Sequence, residues 1–239
     1  MKLLILNNTK EMAEKTAAII CEEIKKKHDL ILGLATGKTM IPLYKKLVYF
    51  YKKRKINFSR VRTFNLDEYF GIGKEDKKSL RYFMDINFFN KVKIKKENIH
   101  FLNGNNKNWK EECRNYESTI RKFNGVDLQI LGIGRNGHIG FNEPGSSLKS
   151  RTRKVKLSDI TLKDNGNVPR QALTIGIKTI IRARRIILLA NGKHKADAIA
   201  KVINGKISNK IPASILKKHK EVAFIIDKGA ASKLESTKD

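Results

Sequence analysis

The 239-residue chain is poor in residues that staple or break a fold: two cysteines, four prolines and one tryptophan. Cys21 and Cys113 lie far apart in segments that read as helical, and their spacing fits no metal site. They are expected to be structural thiols in a reducing, cytoplasmic setting. Long apolar runs are missing too: Ile186 to Ala190 is far short of the roughly 20 residues that cross a bilayer. No membrane partner is expected. Met1 to Leu6 runs into Asn7-Asn8 before reaching the roughly 7-residue apolar core of a signal peptide, so it reads as a first strand. Acid is scarce: 23 Asp+Glu face 51 Lys+Arg, a net charge of +28. That balance is the electrostatic footprint of a nucleic-acid binder. Yet only 13 of the 51 cations are arginine, and the lysines are spread in runs such as Lys25–Lys27 and Lys91–Lys96. Diffuse lysine lacks the forked geometry of base and phosphate readout. The expectation is loose attraction of polyanions and steering of small anions, with no specific nucleic-acid partner.

What the chain does have is alternation. Hydrophobic residues are 40% of the total, enough for a buried core, and they fall into short apolar runs separated by amphipathic stretches. Strands are expected over 2–6, 29–35, 61–65, 100–102, 126–131, 172–175, 185–190 and 222–226. Helices are expected from Thr9 through Ile24, then over 41–53, 77–89, 109–123 and 193–204. With no repeat or linker, this is one α/β domain over 1–239, an open, mainly parallel sheet with helices on both faces. Ligands of such sheets gather at the carboxyl ends of strands, which singles out the loops after Ala35, Asn65, Leu131 and Ala190.

The first loop, Gly33 to Thr39, is a small, donor-rich turn leading into a helix, suited to holding an anion on backbone N–H groups. Its glycines are too close for a Walker A loop, and Leu32 stands where the first glycine would be, so an NTPase is not expected. The second, Phe64 to Gly71, carries adjacent carboxylates, Asp67 and Glu68. On an extended segment they point opposite ways, one into a cleft and one onto the scaffold. The third, Gly132 to Pro144, opens like a Gly-x-Gly-x-x-Gly dinucleotide fingerprint, but Pro144 comes too soon for the full helix and no acidic ribose ligand follows. It leaves His138 between glycines with Glu143 five residues on, a proton-shuttling pair in a range useful near neutrality. No second histidine or cysteine stands at ligand spacing, so no metal is expected. The fourth, Ala190 to Ala196, places Lys193 and Lys195 at a helix start, where one anion could be shared with the first loop.

Together, Leu34-Ala35-Thr36-Gly37-x-Thr39, Phe64-Asn65-Leu66-Asp67-Glu68-Tyr69 and Gly132-Ile133-Gly134-x-x-Gly137-His138-Ile139-Gly140-Phe141-Asn142-Glu143-Pro144 resemble the glucosamine-6-phosphate deaminase family over nearly the whole chain. Ser150-Arg151-Thr152 and Val168-Pro169-Arg170-Gln171-Ala172-Leu173-Thr174 add to the likeness. The resemblance implies a modified Rossmann-like fold and a hydrolase and aldose–ketose isomerase that turns glucosamine 6-phosphate and water into fructose 6-phosphate and ammonia, without metal or organic cofactor, in amino-sugar catabolism and N-acetylglucosamine utilisation. It also implies roles: His138 opens the sugar ring, Asp67 moves the C2 proton to C1, and Glu143, with Asn136, tunes the histidine. Thr36, Gly37, Lys38, Thr39 and Lys195 hold the phosphate. 6-Phosphogluconolactonases share the fold and the Gly-x-Gly-x-x-Gly-His turn, so a lactonase-like or purely sugar-phosphate-binding relative is the alternative.

Several departures from the family pattern carry expectations. Asn136 stands where many relatives have Asp, removing a negative charge near His138. Lys38 and Met40 replace a usual glycine and proline. The stretch between Leu157 and Val168 is shorter than in the family and lacks its lid arginine, with only Lys163 offering a cation, which implies weaker substrate retention. Arg153 matches the allosteric site of some relatives, but Val155 stands where a lysine is used, so activation by N-acetylglucosamine 6-phosphate is not expected. The short C-terminus after Ile226 is similar to monomeric members more than to hexameric ones.

Overall fold

A computed structural model describes residues 1–234, so the end of the C-terminal tail lies outside it. In chain order the elements are β1 (Lys2–Leu6), α1 (Thr9–Lys26), β2 (Ile31–Leu34), α2 (Ile41–Lys52), β3 (Arg62–Asn65), β4 (Asp67–Tyr69), α3 (Leu80–Asn87), β5 (Ile99–His100), α4 (Trp109–Lys122) and β6 (Leu128–Leu131). Then come β7 (Arg153–Lys156), α5 (Asp159–Asn165), β8 (Gln171–Thr174), α6 (Ile177–Ile180), β9 (Arg185–Ala190), α7 (Ala196–Asn204), β10 (Val222–Asp227) and α8 (Lys228–Ala231).

Local chemistry sets these bounds. α1 starts where the Asn8 side chain accepts from the Glu11 N–H, and it ends with Lys25 and Lys26 against the negative end of its dipole. Met12, Ala17, Ile20 and Ile24 form its buried stripe, as their spacing predicts. α3 begins at Leu80, three residues later than the sequence pattern suggests, because Ser79 caps it by accepting from the N–H groups of Arg81 and Tyr82. The expected strand at 29–35 shortens to β2, and that at 100–102 becomes the two residues of β5. A 3₁₀ turn over Lys193–Lys195 takes the first three residues of the helix expected at 193–204.

Seven strands make one sheet in the order β1-β10-β9-β6-β2-β3-β5, every pairing parallel. β2 and β6 are buried at every position, and β9 and β10 nearly so, the pattern of strands covered on both faces. One core runs through the molecule, with Tyr44, Phe58, Phe64, Phe88 and Phe224 wholly buried in it. Cys21 and Cys113 are buried free thiols, as expected.

A second, antiparallel sheet in the order β4-β8-β7 does not follow from the sequence, whose pattern predicts a strand over 172–175 within a mainly parallel architecture but not its antiparallel partners. Its strands are three and four residues long, and β4 pairs only with β8, about a hundred residues away in the chain. Alternation alone does not reveal such partners. Asp67 of β4 lies opposite Thr174 of β8, so this small sheet presents Asp67 at the site.

Candidate functional site

The strands β9, β6, β2 and β3 are consecutive neighbours in the sheet. Their carboxyl ends therefore bring together the four loops singled out by sequence. A hydrogen bond of 2.6 Å from Thr39 Oγ1 to Asn191 Oδ1 ties the first loop to the fourth. Asp227 at the end of β10 accepts from the Gly192 N–H at 2.9 Å and fixes the fourth loop from beneath. Thr36 is half-buried, Gly37 and Lys38 are exposed, and Gly37 takes φ 106°, outside the range natural to other residues. Lys195 is half-buried beside these loops. Burial pulls its ammonium below the usual range, Asp164 opposes the shift and Arg135 adds to it. The result is a rim of hydroxyls, a lysine ammonium and turn backbone suited to an anion.

The two carboxylates of the second loop part as β-geometry requires. Glu68 turns to the scaffold, where Oε1 accepts from the N–H groups of Tyr69 (2.7 Å) and Leu80 (2.9 Å). Its Oε2 accepts from Ser79 Oγ (2.6 Å) and the Arg81 N–H (2.9 Å). Burial pushes its carboxyl up while these donors pull it back. Asp67 is 5% exposed and, among the described residues, has no such donors: burial, with the Glu68 charge adding, pushes it up to about 8. Its Oδ2 lies 3.5 Å from where a Cβ on Gly140 would stand, against the histidine-bearing turn.

That turn holds a compact network. His138 Nδ1 lies 3.3 Å from Glu143 Oε2. Glu143 also accepts from Asn136 Nδ2 (2.7 Å), the Ser158 N–H (3.3 Å) and Thr161 Oγ1 (2.6 Å). Burial alone would raise its carboxyl, but the bond and charge of His138, with Thr161 and Asn136, outweigh it and hold the group at about 2. Asn136 meets Glu143 and, through Oδ1, the backbone N–H of His138 at 3.2 Å. It thus acts on the imidazole through the carboxylate and the turn, rather than as a charge against the ring. Gly134 explains the glycine spacing: a Cβ there would stand 2.3 Å from His138 Cε1 and Nδ1, so any side chain would expel the imidazole. Gly140, at φ 56°, lets the chain reverse beside Asp67.

The site also contains residues the sequence did not flag. α5 occupies the stretch expected to be a shortened lid. It places Thr161 on the His138–Glu143 pair and Asp164 on Arg135 at 3.1 Å, while Lys163 faces solvent. Ser158 caps this helix by accepting from the Thr161 N–H. A Ser-x-x-Thr start in a polar stretch carries no catalytic signature, and Asp164, Asn191 and Asp227 are likewise ordinary loop residues until the strands assemble. Arg153 donates to Asn142 Oδ1 at 2.8 Å and Ser146 Oγ at 3.2 Å.

The α/β fold thus sets a rim suited to an anion beside a buried aspartate with a raised carboxyl and a histidine–glutamate pair, the equipment for proton transfer on an anionic substrate. Residues 7–225 match the family described as glucosamine-6-phosphate isomerases/6-phosphogluconolactonase, and the chain belongs to that family. It is 50% identical over 242 residues to a glucosamine-6-phosphate deaminase of Clostridium botulinum (strain Langeland / NCTC 10281 / Type F), covering 98% of this chain and 99% of that one. A deaminase of the same name from Thermoanaerobacter sp. (strain X514) is 49% identical over 239 residues, covering 97% and 94%. Among solved structures, a monomeric glucosamine-6-phosphate deaminase superposes with a TM-score of 0.95 at 41% identity, over 97% of this chain and 99% of that one. A 6-phosphogluconolactonase from Thermotoga maritima shares the fold, with a TM-score of 0.78 at 20% identity over 95% and 99%.

Proposed function

We propose that the chain is a glucosamine-6-phosphate deaminase, converting glucosamine 6-phosphate and water into fructose 6-phosphate and ammonia. The observation that carries the reading is the meeting, at one end of the sheet, of a buried carboxyl raised to about 8 with a histidine–glutamate pair, beside loops built for an anion. Thr36, Gly37, Lys38, Thr39 and Lys195 hold the sugar phosphate. His138 moves the proton between the C1 hydroxyl and the ring oxygen and so opens the pyranose, with Glu143 and Asn136 fixing its ring. Asp67 takes the proton from C2 and returns it at C1. The enolamine that lies between becomes an iminium at C2, water adds there, and ammonia leaves as the ketone forms. Because water is consumed the net reaction is hydrolytic, and the isomerisation is internal to it. A carboxyl that holds a proton up to about 8 suits a group that must take one and give it back.

The monomeric, 41%-identical neighbour favours a monomer here as well. The place of action is the cytoplasm, in amino-sugar catabolism, and the whole chain acts as one domain. Among the described residues no helix is long and apolar enough to cross a membrane.

The test is release of ammonia and fructose 6-phosphate from glucosamine 6-phosphate by the purified protein, with His138→Ala and Asp67→Asn alongside. Turnover is expected in the parent, with losses of at least about 10²-fold in each variant. A parent that binds the sugar phosphate without turning it over, or that hydrolyses 6-phosphogluconolactone instead, would overturn the reading.

A further inference from the structure

Thr161 lies on α5 with 1% of its surface exposed, at the junction of that short helix with the acid–base pair. We propose that Thr161 is a positioning residue: its hydroxyl anchors Glu143 and keeps neutral His138 in the tautomer with the hydrogen on Nδ1, leaving Nε2 as the acceptor. The kinetic consequence rests on the reaction proposed above; the tautomer does not.

The inference follows from counting protons. A hydroxyl has one hydrogen to donate and two lone pairs, and an ionised carboxylate can only accept. The contact of 2.6 Å with Glu143 Oε1 therefore takes the Thr161 hydrogen. Ser158 Oγ already accepts from the Thr161 N–H and from Asn136 Nδ2, so its own hydrogen points at Thr161 Oγ1, 3.1 Å away. The other lone pair of Thr161 faces His138 Nδ1 at 3.3 Å, and Glu143 Oε2 faces the same nitrogen at 3.3 Å. Two oxygens that can only accept, set around one ring nitrogen, require that nitrogen to carry the hydrogen. The neutral ring then has its lone pair on Nε2, the atom able to take a proton from a sugar hydroxyl.

The arrangement also links the lid region to the chemistry. Thr161 and Asp164 sit one turn apart on α5, and they grip Glu143 and Arg135 of the same loop. Displacement of α5 would remove the Thr161 donor to Glu143 and one of the two acceptors facing Nδ1 in one movement.

Thr161→Val keeps the shape and deletes the hydroxyl, whereas Thr161→Ser keeps the hydroxyl. With glucosamine 6-phosphate, kcat of the valine variant is expected to fall about ten- to hundredfold, the value of a hydrogen bond to a charged group. KM should stay within about twofold, and serine should restore most of kcat. Long-range proton–nitrogen spectra of the histidine rings in the ligand-free parent, with His138 assigned from the signals lost in His138→Ala, should show hydrogen on Nδ1. The valine variant should show a mixture of tautomers. A parent with the hydrogen on Nε2, a valine variant with parental kcat and tautomer, or equal losses in valine and serine would each overturn the proposal. A parent inactive on glucosamine 6-phosphate would sink the proposed reaction, while the spectra of the parent and the valine variant would still decide the role of Thr161.

Discussion

At the residue scale, the site sets two carboxyls apart in opposite directions. Glu143 gathers donors and is held at about 2, while Asp67, without them, is pushed up to about 8. One stays an anion behind the histidine and the other is free to carry a proton. This division has a consequence for stability. An unfolded aspartate loses its proton near pH 4, so between about 4 and about 8 the folded chain holds a proton that the unfolded chain has released. Asp67 therefore destabilises the fold increasingly as pH rises through that window. Asp67→Asn removes the penalty while removing the base. Its melting temperature should exceed the parent's by more at pH about 8 than at pH about 5, and kcat/KM of the parent should climb as pH rises towards about 8. Thermal unfolding at the two pH values checks the first, and a gain that does not grow with pH would refute the assignment.

At the scale of elements, Glu68 shows how a short strand and a distant helix are joined. Its carboxylate receives four hydrogen bonds, three of them from Ser79, Leu80 and Arg81 at the start of α3. The Leu80 and Arg81 N–H groups have no partner within the helix, and a carboxylate there also meets the positive end of the helix dipole. Glu68 thereby locks β4, and with it the neighbouring Asp67, to α3. Glu68→Ala strands buried donors and should cost about 2–5 kcal/mol in urea unfolding. Its turnover per folded molecule should fall too, because Asp67 loses its support. Unchanged stability would show that α3 is held by packing alone. α5 has the same character. A helix of seven residues is too short to persist by itself, so it is held by its contacts with Glu143 and Arg135.

At the scale of the whole molecule, the excess of +28 is carried mainly by exposed lysines, while the acids with structural work are buried or paired, as Asp127 is with Lys27 and Arg184. The field that results draws anions from every side and reads no sequence. Binding to a single-stranded oligonucleotide should therefore weaken by on the order of 10³ between about 50 and about 200 mM salt, the behaviour of diffuse phosphate contacts. Fluorescence anisotropy of a labelled oligonucleotide checks this, and affinity that survives the higher salt would indicate a dedicated nucleic-acid surface.

The sequence by itself determined the alternation of strands and helices, the parallel class of the main sheet and the four loops at its carboxyl edge, because periodicity, caps and glycine turns are local properties of the chain. It also separated the duties of Asp67 and Glu68, since neighbours on a strand must face opposite ways. Only the tertiary structure decided that β4, β7 and β8 form a second sheet, that Asn191 meets Thr39, and that Thr161 and Asp164 of α5 rest on the loop that carries His138. Those pairings join residues from about 20 to more than 150 positions apart. A threonine hydroxyl has no pattern of its own in the chain; its meaning comes from which carboxylate and which ring nitrogen the fold sets around it.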